Sequence, residues 1–276
     1  LPRLVEPLQH FQENQVVGSH GLLSSRVDCR ETCGRTSKSC NYHAARGPPF
    51  SLDRYRQIGY FPVDLFPREA GMIRAERTIA KLNAGKDVKI VAIGDSLTYG
   101  WQVSKGYLDF LKEMLRKRYP EASFQIVNKG IPGDTASGGL DRIDSDVYFY
   151  EPDCVLVEFA LNDAFCGYSS ELFGRNIQEM IAGIRKNTKA EVVLVTAVWL
   201  DDPQSYDFVE KFFYGKLEEM AQKFGLPIAR VHERWRRQVL SGAVDFQELV
   251  QFDGVHPTVE GYRLMAEAVM EVFSDS

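Results

Sequence analysis

Ser96, Asp253 and His256 have the residue types and the spacing that nucleophilic catalysis requires. Asp253 precedes His256 by three residues, so one short loop can supply a base and the carboxylate that orients it. Ser96 follows an apolar run at a Gly-Asp-Ser turn, and a serine hydroxyl becomes a good nucleophile when a neighbouring base removes its proton. Taken alone, Asp253 would be interpreted as a turn former and His256 as a surface histidine. Together with Ser96, they favour a catalytic triad.

Five short apolar runs predict β-strands in the part of the chain that contains these residues. Most are rich in Val and Ile, and amphipathic or helical patterns lie between them, which is typical of a parallel sheet covered by helices on both faces. The predicted strands are Val88–Ile93, Phe124–Val127, Cys154–Ala160, Val192–Val198 and Pro227–Val231. The predicted helices lie at Tyr107–Leu115, around Leu140, at Ile177–Ile184, at Phe208–Phe224 and at Leu264–Val272.

The polar residues of interest all follow predicted strands. Ser96 follows the first strand, Gly133 the second and Asn162 the third, while Asp253 and His256 lie beyond the fifth. Ligands of parallel sheets bind outside the carboxyl ends of the strands. We therefore expect these elements to converge at one edge of the sheet.

Four sequence blocks resemble, in order, the conserved blocks of the SGNH (GDSL) hydrolase superfamily. The resemblance covers roughly residues 87–276 and implies a flavodoxin-like three-layer α/β/α sandwich. It further implies Ser96 as nucleophile, His256 as base, Asp253 as the residue that orients it, and an oxyanion hole made by Ser96, Gly133 and Asn162. The blocks are Gly94-Asp-Ser-Leu97, Asn128–Thr135 around Gly133, Asn162-Asp163 and Asp253-Gly-Val-His256.

The chemistry of Gly133 and Asn162 agrees with the implied oxyanion hole. A tetrahedral intermediate needs donors aimed at its oxygen, and Gly133 offers an unobstructed backbone N–H while Asn162 offers a side-chain amide. The alternatives are an ordinary turn glycine after Pro132 and a polar loop residue after a strand.

Four further residues are predicted to shape the substrate site. Ala160 stands where the family usually has Gly, and its methyl group is expected to narrow the cleft. Cys166 is interpreted as a thiol of the pocket wall, since no base accompanies it. Trp199 and Leu200, at the end of the fourth strand, are predicted to line the acyl pocket. The aromatic cluster of Phe208, Phe212 and Phe213 is interpreted as helix core.

Composition excludes several classes of protein. The net charge of −5 and pI near 5.7 argue against a nucleic-acid partner. No apolar run is long enough to span a bilayer. No P-loop, Gly-x-Gly-x-x-Gly or His-Glu-x-x-His pattern occurs, so no cofactor is expected. The five cysteines and the absence of a signal-peptide pattern favour a reducing, cytoplasmic location, and secretion with a removed signal is the alternative.

Residues 1–86 differ from the catalytic domain, which is assigned to residues 87–276. They carry 13 Lys and Arg against 8 Asp and Glu, whereas the remainder carries 20 against 30. One helix is predicted from Met72 to Leu82. This charge opposition predicts an extension that docks on the domain or on a second copy, which would make a homo-oligomer. A solvated extension or a non-native leader is the alternative.

One group of residues in this extension has the broad spacing of a zinc site. The group consists of Cys29, Cys33, Cys40 and His43. No strand or helix pattern flanks these residues, so no metal is expected.

The sequence thus predicts a serine esterase that hydrolyses short-chain carboxylic esters through an acyl-enzyme, including acetylated carbohydrates. An acyl-CoA thioesterase or lysophospholipase is the alternative within the superfamily. A non-catalytic ligand-binding module on the same type of sheet is the alternative from another class. Such a module would not need Asp253 and His256 together.

Overall fold

The computed structural model describes residues 72–274. The cysteine group at residues 29–43 and most of the predicted extension lie outside these residues. No helix within residues 72–274 is long and apolar enough to cross a membrane.

A five-stranded parallel sheet forms the centre of the fold, with the strand order β2-β1-β3-β4-β5. This is the flavodoxin-like order, in which β2 lies on one side of β1 and the later strands are added on the other side, beginning with β3. The predicted three-layer α/β/α architecture is confirmed. The strands are β1 (Val88–Gly94), β2 (Phe124–Gly130), β3 (Cys154–Glu158), β4 (Glu191–Val195) and β5 (Ile228–Ala229).

Helices cover both faces of the sheet. On one side α3, α10 and α12 pack together, and on the other α4, α7 and α9 do so. The helices are α1 (Glu76–Asn83), α2 (Ser96–Tyr99), α3 (Tyr107–Arg118), α4 (Ala136–Asp141), α5 (Ile143–Asp146), α6 (Leu161–Phe165), α7 (Ser170–Asn187), α8 (Pro203–Val209), α9 (Gly215–Phe224), α10 (Val231–Leu240), α11 (Phe246–Leu249) and α12 (Val259–Glu271).

Three strands end earlier than the sequence predicts. β3 ends at Glu158 rather than Ala160, β4 at Val195 rather than Val198, and β5 has only two residues. Apolar residues continue beyond each strand because the chain stays buried after it leaves the sheet. The hydrophobic pattern therefore does not mark where strand pairing stops.

The predicted helix Phe208–Phe224 is interrupted. A π-helical turn at Glu210–Tyr214 separates α8 from α9. Its wider hydrogen-bond spacing shifts the buried face of the helix. Phe213 is fully buried, but Phe208 and Phe212 are 47% and 41% exposed, so the interpretation of all three rings as core is wrong for two of them.

Helix α1 packs on the α/β domain at the edge opposite Ser96. Its apolar side chains Ile79 and Leu82 are buried. The backbone N–H and hydroxyl of Thr78 both donate to Glu191 Oε2 at 2.7 Å, at the amino end of β4. The last part of the predicted extension is thus in contact with the sheet, and away from its carboxyl edge.

Candidate active site

The turn that presents Ser96 depends on Gly94. β1 ends at Gly94 and α2 begins at Ser96, with the Asp95 carboxylate accepting the Leu97 N–H at 2.9 Å. A Cβ atom on Gly94 would lie 2.2 Å from Thr98 Oγ1 and 2.6 Å from the carbonyl oxygen of Glu158. Because only glycine avoids these overlaps, the chain can turn sharply and present Ser96 at the end of the strand.

Ser96, His256 and Asp253 form one chain of hydrogen bonds. His256 Nε2 lies 2.9 Å from Ser96 Oγ, and His256 Nδ1 lies 2.6 Å from Asp253 Oδ2. Nδ1 carries its proton toward the carboxylate, which leaves Nε2 free to accept the serine proton. The geometry is that of a nucleophile, a base and the group that orients the base.

Asp253 is kept ionised by its surroundings. Partial burial opposes the charge, but the hydrogen bonds from the His256 ring and from the backbone amides of Val255 and His256 outweigh it. The pKa of Asp253 therefore lies below its usual range. A carboxylate at this position can stabilise an imidazolium formed during proton transfer.

Gly133 and Asn162 reach the same sheet edge from the ends of β2 and β3. Gly133 has a φ of 81°, a conformation that favours glycine. Within the described residues, its backbone N–H has no acceptor. Asn162 Nδ2 donates to Asp95 Oδ2 at 3.1 Å and to the Asp134 carbonyl oxygen at 2.9 Å. Both partners are acceptors, so the Asn162 nitrogen, and not its oxygen, faces them. An N–H group that donates to a substrate oxygen would share its hydrogen with one of these two acceptors.

Gln251 and Tyr262 join the loop of Asp253 and His256 to the segment after Ser96. Gln251 Nε2 donates to the carbonyl oxygens of Trp101 at 2.9 Å and Pro257 at 2.8 Å. The Tyr262 hydroxyl accepts the Trp101 N–H at 3.0 Å. These bonds set the distance between base and nucleophile, which are 160 residues apart in the chain.

Arg142 and Asp163 anchor the loop of Gly133 on both sides. The Arg142 guanidinium donates to Asp134 Oδ2 and to the carbonyl oxygen of Lys129, both at 2.8 Å. The Asp163 carboxylate, fully buried, accepts the Ala136 N–H at 3.0 Å. The loop is therefore held between β2 and the helix that carries Asn162.

Comparison with known proteins identifies the family of this chain. The model of the GDSL-like Lipase/Acylhydrolase family matches residues 92–264, which contain all four sequence blocks. The chain belongs to this family. It is a carboxylic ester hydrolase, in agreement with the esterases among its relatives.

Curated relatives of this GDSL-like hydrolase include several esterases. An arylesterase of Vibrio mimicus is 28% identical over 189 residues, which are 66% of this chain and 86% of the relative. An acetylxylan esterase of Geobacillus stearothermophilus is 24% identical over 212 residues, 68% of this chain and 95% of the relative. The crystal structure of an acetylxylan esterase from the same species has the same fold, with a TM-score of 0.59 at 18% identity over 68% of this chain and 95% of that one.

Three of the predicted substrate-binding residues lie in the core of the GDSL-like hydrolase. Ala160 and Trp199 have no exposed surface, and Leu200 is 2% exposed. The Trp199 ring packs edge-to-face against Phe246 at 5.6 Å between centroids. These three side chains contribute almost no surface to a cleft, whereas Cys166 is partly exposed at the end of α6.

Other apolar side chains lie close in sequence to the residues of the site, and one of them contacts His256. Tyr99, Ile131 and Phe252 are 55%, 41% and 82% exposed, and the Trp101 ring lies 6.0 Å from the His256 ring. None of the four was predicted from the sequence, although each lies within five residues of a predicted catalytic or oxyanion residue. The signal available in the sequence was an apolar residue close to each predicted catalytic or oxyanion residue.

No group of three or more His, Cys, Asp or Glu side chains within residues 72–274 could hold a metal ion. His232 is buried against Thr196, with 2.8 Å between Nδ1 and Oγ1. Burial lowers its pKa to about 3. His232 is therefore a neutral core histidine.

Replacing Asp163 by Asn is expected to flatten the dependence of stability on pH. Burial raises the pKa of Asp163 to about 7, against the hydrogen bond from Ala136 that lowers it. A carboxyl group whose pKa is raised in the folded state contributes stability that is fully present below its pKa in the unfolded state. This contribution is lost as pH rises through its pKa in the folded state. From about pH 4 to about pH 7, one such group lowers the free energy of unfolding by at most about 1.4 kcal/mol per pH unit.

Urea unfolding of the wild type and of Asp163→Asn across this pH range measures the difference. The exposed Asp144→Asn variant is the control and should follow the wild type. Parallel curves for Asp163→Asn and the wild type would assign the pH dependence to other carboxyls.

Replacing Gln251 by Ala is expected to lower kcat by about 10-fold to 100-fold, because small misplacements of catalytic groups have effects of this size. Gln247→Ala, at an exposed position four residues away, is the matched control. Steady-state rates on p-nitrophenyl acetate, with melting temperatures to verify folding, test this expectation. An unchanged kcat would mean that Gln251 does not set the distance between His256 and Ser96.

Proposed function

We propose that this hydrolase cleaves short-chain carboxylic esters through an acyl-enzyme on Ser96, with His256 as the base and Asp253 orienting it. The observation that carries the proposal is the unbroken hydrogen-bond chain from Ser96 Oγ through the His256 ring to Asp253. Family membership supports the same reaction class.

The proposed reaction has two steps. Ser96 Oγ attacks the ester carbonyl carbon while His256 Nε2 takes the hydroxyl proton. The tetrahedral intermediate then expels the alcohol, which leaves with the proton from His256. Water attacks the acyl-enzyme with His256 again as base, and the carboxylic acid leaves as Ser96 recovers its proton. Asp253 remains ionised throughout, as the lowered pKa supports.

The proposed oxyanion hole combines the backbone N–H groups of Ser96 and Gly133 with the Asn162 amide. Fixed donors of this kind stabilise the charge that develops on the carbonyl oxygen. The left-handed turn at Gly133 and the two hydrogen bonds that hold Asn162 support pre-organised donors.

Acetylated carbohydrates are the substrate class that we favour. An acetylxylan esterase is among the relatives, and the alignment covers 95% of its length. Trp199 and Leu200, the predicted lining of the acyl pocket, are buried and have almost no surface left to contact an acyl chain, which supports a short acyl group.

One observation favours a second substrate class. The exposed apolar side chains Tyr99, Ile131 and Phe252 could contact a longer acyl chain along the surface. A relative from Escherichia coli named thioesterase 1/protease 1/lysophospholipase L1 is 21% identical over 180 residues and is matched over 79% of its length. A thioesterase or lysophospholipase is therefore the alternative.

A series of p-nitrophenyl esters from acetate to palmitate, assayed beside acetylated xylooligosaccharides, separates the two classes. The proposal expects kcat/KM to be highest for acetate and to fall with chain length. A maximum at octanoate or above, with hydrolysis of palmitoyl-CoA, would favour the alternative.

We also propose that residues 1–86 dock on the α/β domain or join two copies, and that the protein acts in a reducing compartment. The opposite net charges of the two parts of the chain support the docking. Removing residues 1–71 is expected to lower the melting temperature or the oligomer mass, measured by light scattering, and to leave kcat for a small ester nearly unchanged. A truncated enzyme of the same mass and melting temperature but altered substrate range would mean that the extension acts at the active site.

A further inference from the structure

The Asn162 amide is held by two acceptors that lie on different segments of the chain. Its Nδ2 donates to Asp95 Oδ2 at 3.1 Å and to the Asp134 carbonyl oxygen at 2.9 Å. Asp95 directly follows β1, and Asp134 lies in the loop after β2. The position of the amide therefore depends on what fixes these two segments relative to each other.

The Arg142 guanidinium joins the same two segments. Its Nη2 donates at 3.1 Å to the carbonyl oxygen of Gly94, the residue immediately before Asp95. Its Nε and Nη2 both contact Asp134 Oδ2, at 2.8 and 2.7 Å. One planar group thus sets the gap between the end of β1 and the loop after β2, which is the gap that the Asn162 amide spans.

The third nitrogen of the guanidinium is held as well. Nη1 donates to the Lys129 carbonyl oxygen and to Asp146 Oδ2, both at 2.8 Å. The side chains of Arg142 and Asp134 are only 15% and 13% exposed, so solvent screens their ion pair incompletely. Hydrogen bonds between charged groups are short and strong. All three nitrogens are engaged, which gives the Arg142 side chain one orientation.

We propose that Arg142 is a positioning residue for the oxyanion hole: its guanidinium fixes Asp134 against the end of β1 and so places the acceptors that orient the Asn162 amide. This rests on the proposed role of Asn162 as an oxyanion donor. Arg142 acts through Asp134 rather than on the substrate. A guanidinium suits this role because its planar fork of donors reaches several fixed acceptors at once, whereas lysine has one flexible ammonium group.

Two substitutions at Arg142 separate its charge from its geometry. Arg142→Lys keeps the positive charge but cannot hold Gly94, Lys129 and Asp134 together, and Arg142→Met removes every donor. We expect kcat to fall by about 10-fold in Arg142→Lys and about 10²-fold in Arg142→Met, with little change in KM, because the oxyanion donor is misplaced rather than removed. Arg175→Lys, at an exposed position in α7, is the matched control and should keep both constants.

A double-mutant cycle tests whether Arg142 acts through Asn162. Once the amide is absent, Arg142→Lys has no donor to misplace, so it should change the kcat of Asn162→Ala far less than it changes that of the wild type. Losses that multiply would overturn the proposal, as would an unchanged kcat in either folded Arg142 variant. If Arg142→Met does not fold, the cycle still decides, because it needs only the lysine variant.

Nuclear magnetic resonance follows the Asn162 amide without turnover. Its side-chain NH₂ signals are identified by their loss in Asn162→Ala, and they should shift in Arg142→Lys but not in Arg175→Lys. Unshifted signals in Arg142→Lys would overturn the proposal. A wild type that releases no burst of p-nitrophenol from p-nitrophenyl acetate would refute the esterase mechanism, whereas the amide signals test Arg142 independently of that mechanism.

Discussion

Replacing Ser96 by Ala is expected to lower kcat by about 10⁴-fold or more, because the members of a triad act as one unit. Without the hydroxyl, His256 has no proton to remove and no acyl-enzyme can form. Steady-state hydrolysis of p-nitrophenyl acetate measures the effect, and the exposed Ser104→Ala variant serves as the control. A folded Ser96→Ala enzyme that keeps a substantial part of the wild-type rate would show that another residue is the nucleophile.

Replacing Asn162 by Ala is expected to lower kcat by about 10²-fold to 10³-fold with little change in KM, since an oxyanion donor acts mainly in the transition state. The resting amide already donates to Asp95 and Asp134, so the substitution also removes two contacts of the ground state. Melting temperatures therefore accompany the kinetics. They separate a loss of catalysis from a loss of folded protein.

Asn187→Ala removes an amide from an exposed helix end and is the matched control for this variant. It should leave both kinetic constants near the wild-type values. A raised KM at unchanged kcat in Asn162→Ala would identify Asn162 as a substrate-binding group instead of an oxyanion donor.

The sheet and the location of its polar edge could be predicted from the sequence. Val- and Ile-rich runs separated by helical patterns favour a parallel sheet, and its strand ends bring Ser96, Gly133 and Asn162 to one edge. The spacing of Asp253 and His256 is local, so the sequence alone indicates that one loop holds both. The loop follows the fifth strand and Ser96 follows the first, so a parallel sheet is enough to predict that they meet at the same edge.

The walls of the site could not be predicted in the same way. Trp199 follows an apolar run, and its burial depends on where β4 stops and how the chain then turns back onto Phe246. Hydrophobic periodicity does not encode that point. The π-helical turn before α9 changes the exposure of Phe212 for a related reason, since its wider hydrogen-bond spacing shifts the positions that fall on the buried face.

The surroundings of Glu158 were also beyond sequence reasoning. Glu158 interrupts the apolar run Cys154–Ala160 and is visible as an anomaly in the printed sequence. Its neighbours follow from the pairing of β1 with β3, which is set by the order of strands in the sheet. A carboxyl residue within an apolar run can be noticed in a sequence, but the group that lies beside it is a property of the fold.

The most direct test of the proposed mechanism is the site of covalent modification by a fluorophosphonate. The reagent should inactivate the enzyme with a mass increase of one adduct per chain, and peptide mapping should find the adduct on Ser96. Ser96→Ala should remain unlabelled, and His256→Ala should label slowly. An adduct on any other residue, or an active enzyme that takes up no reagent, would contradict the assignment of Ser96 as the nucleophile.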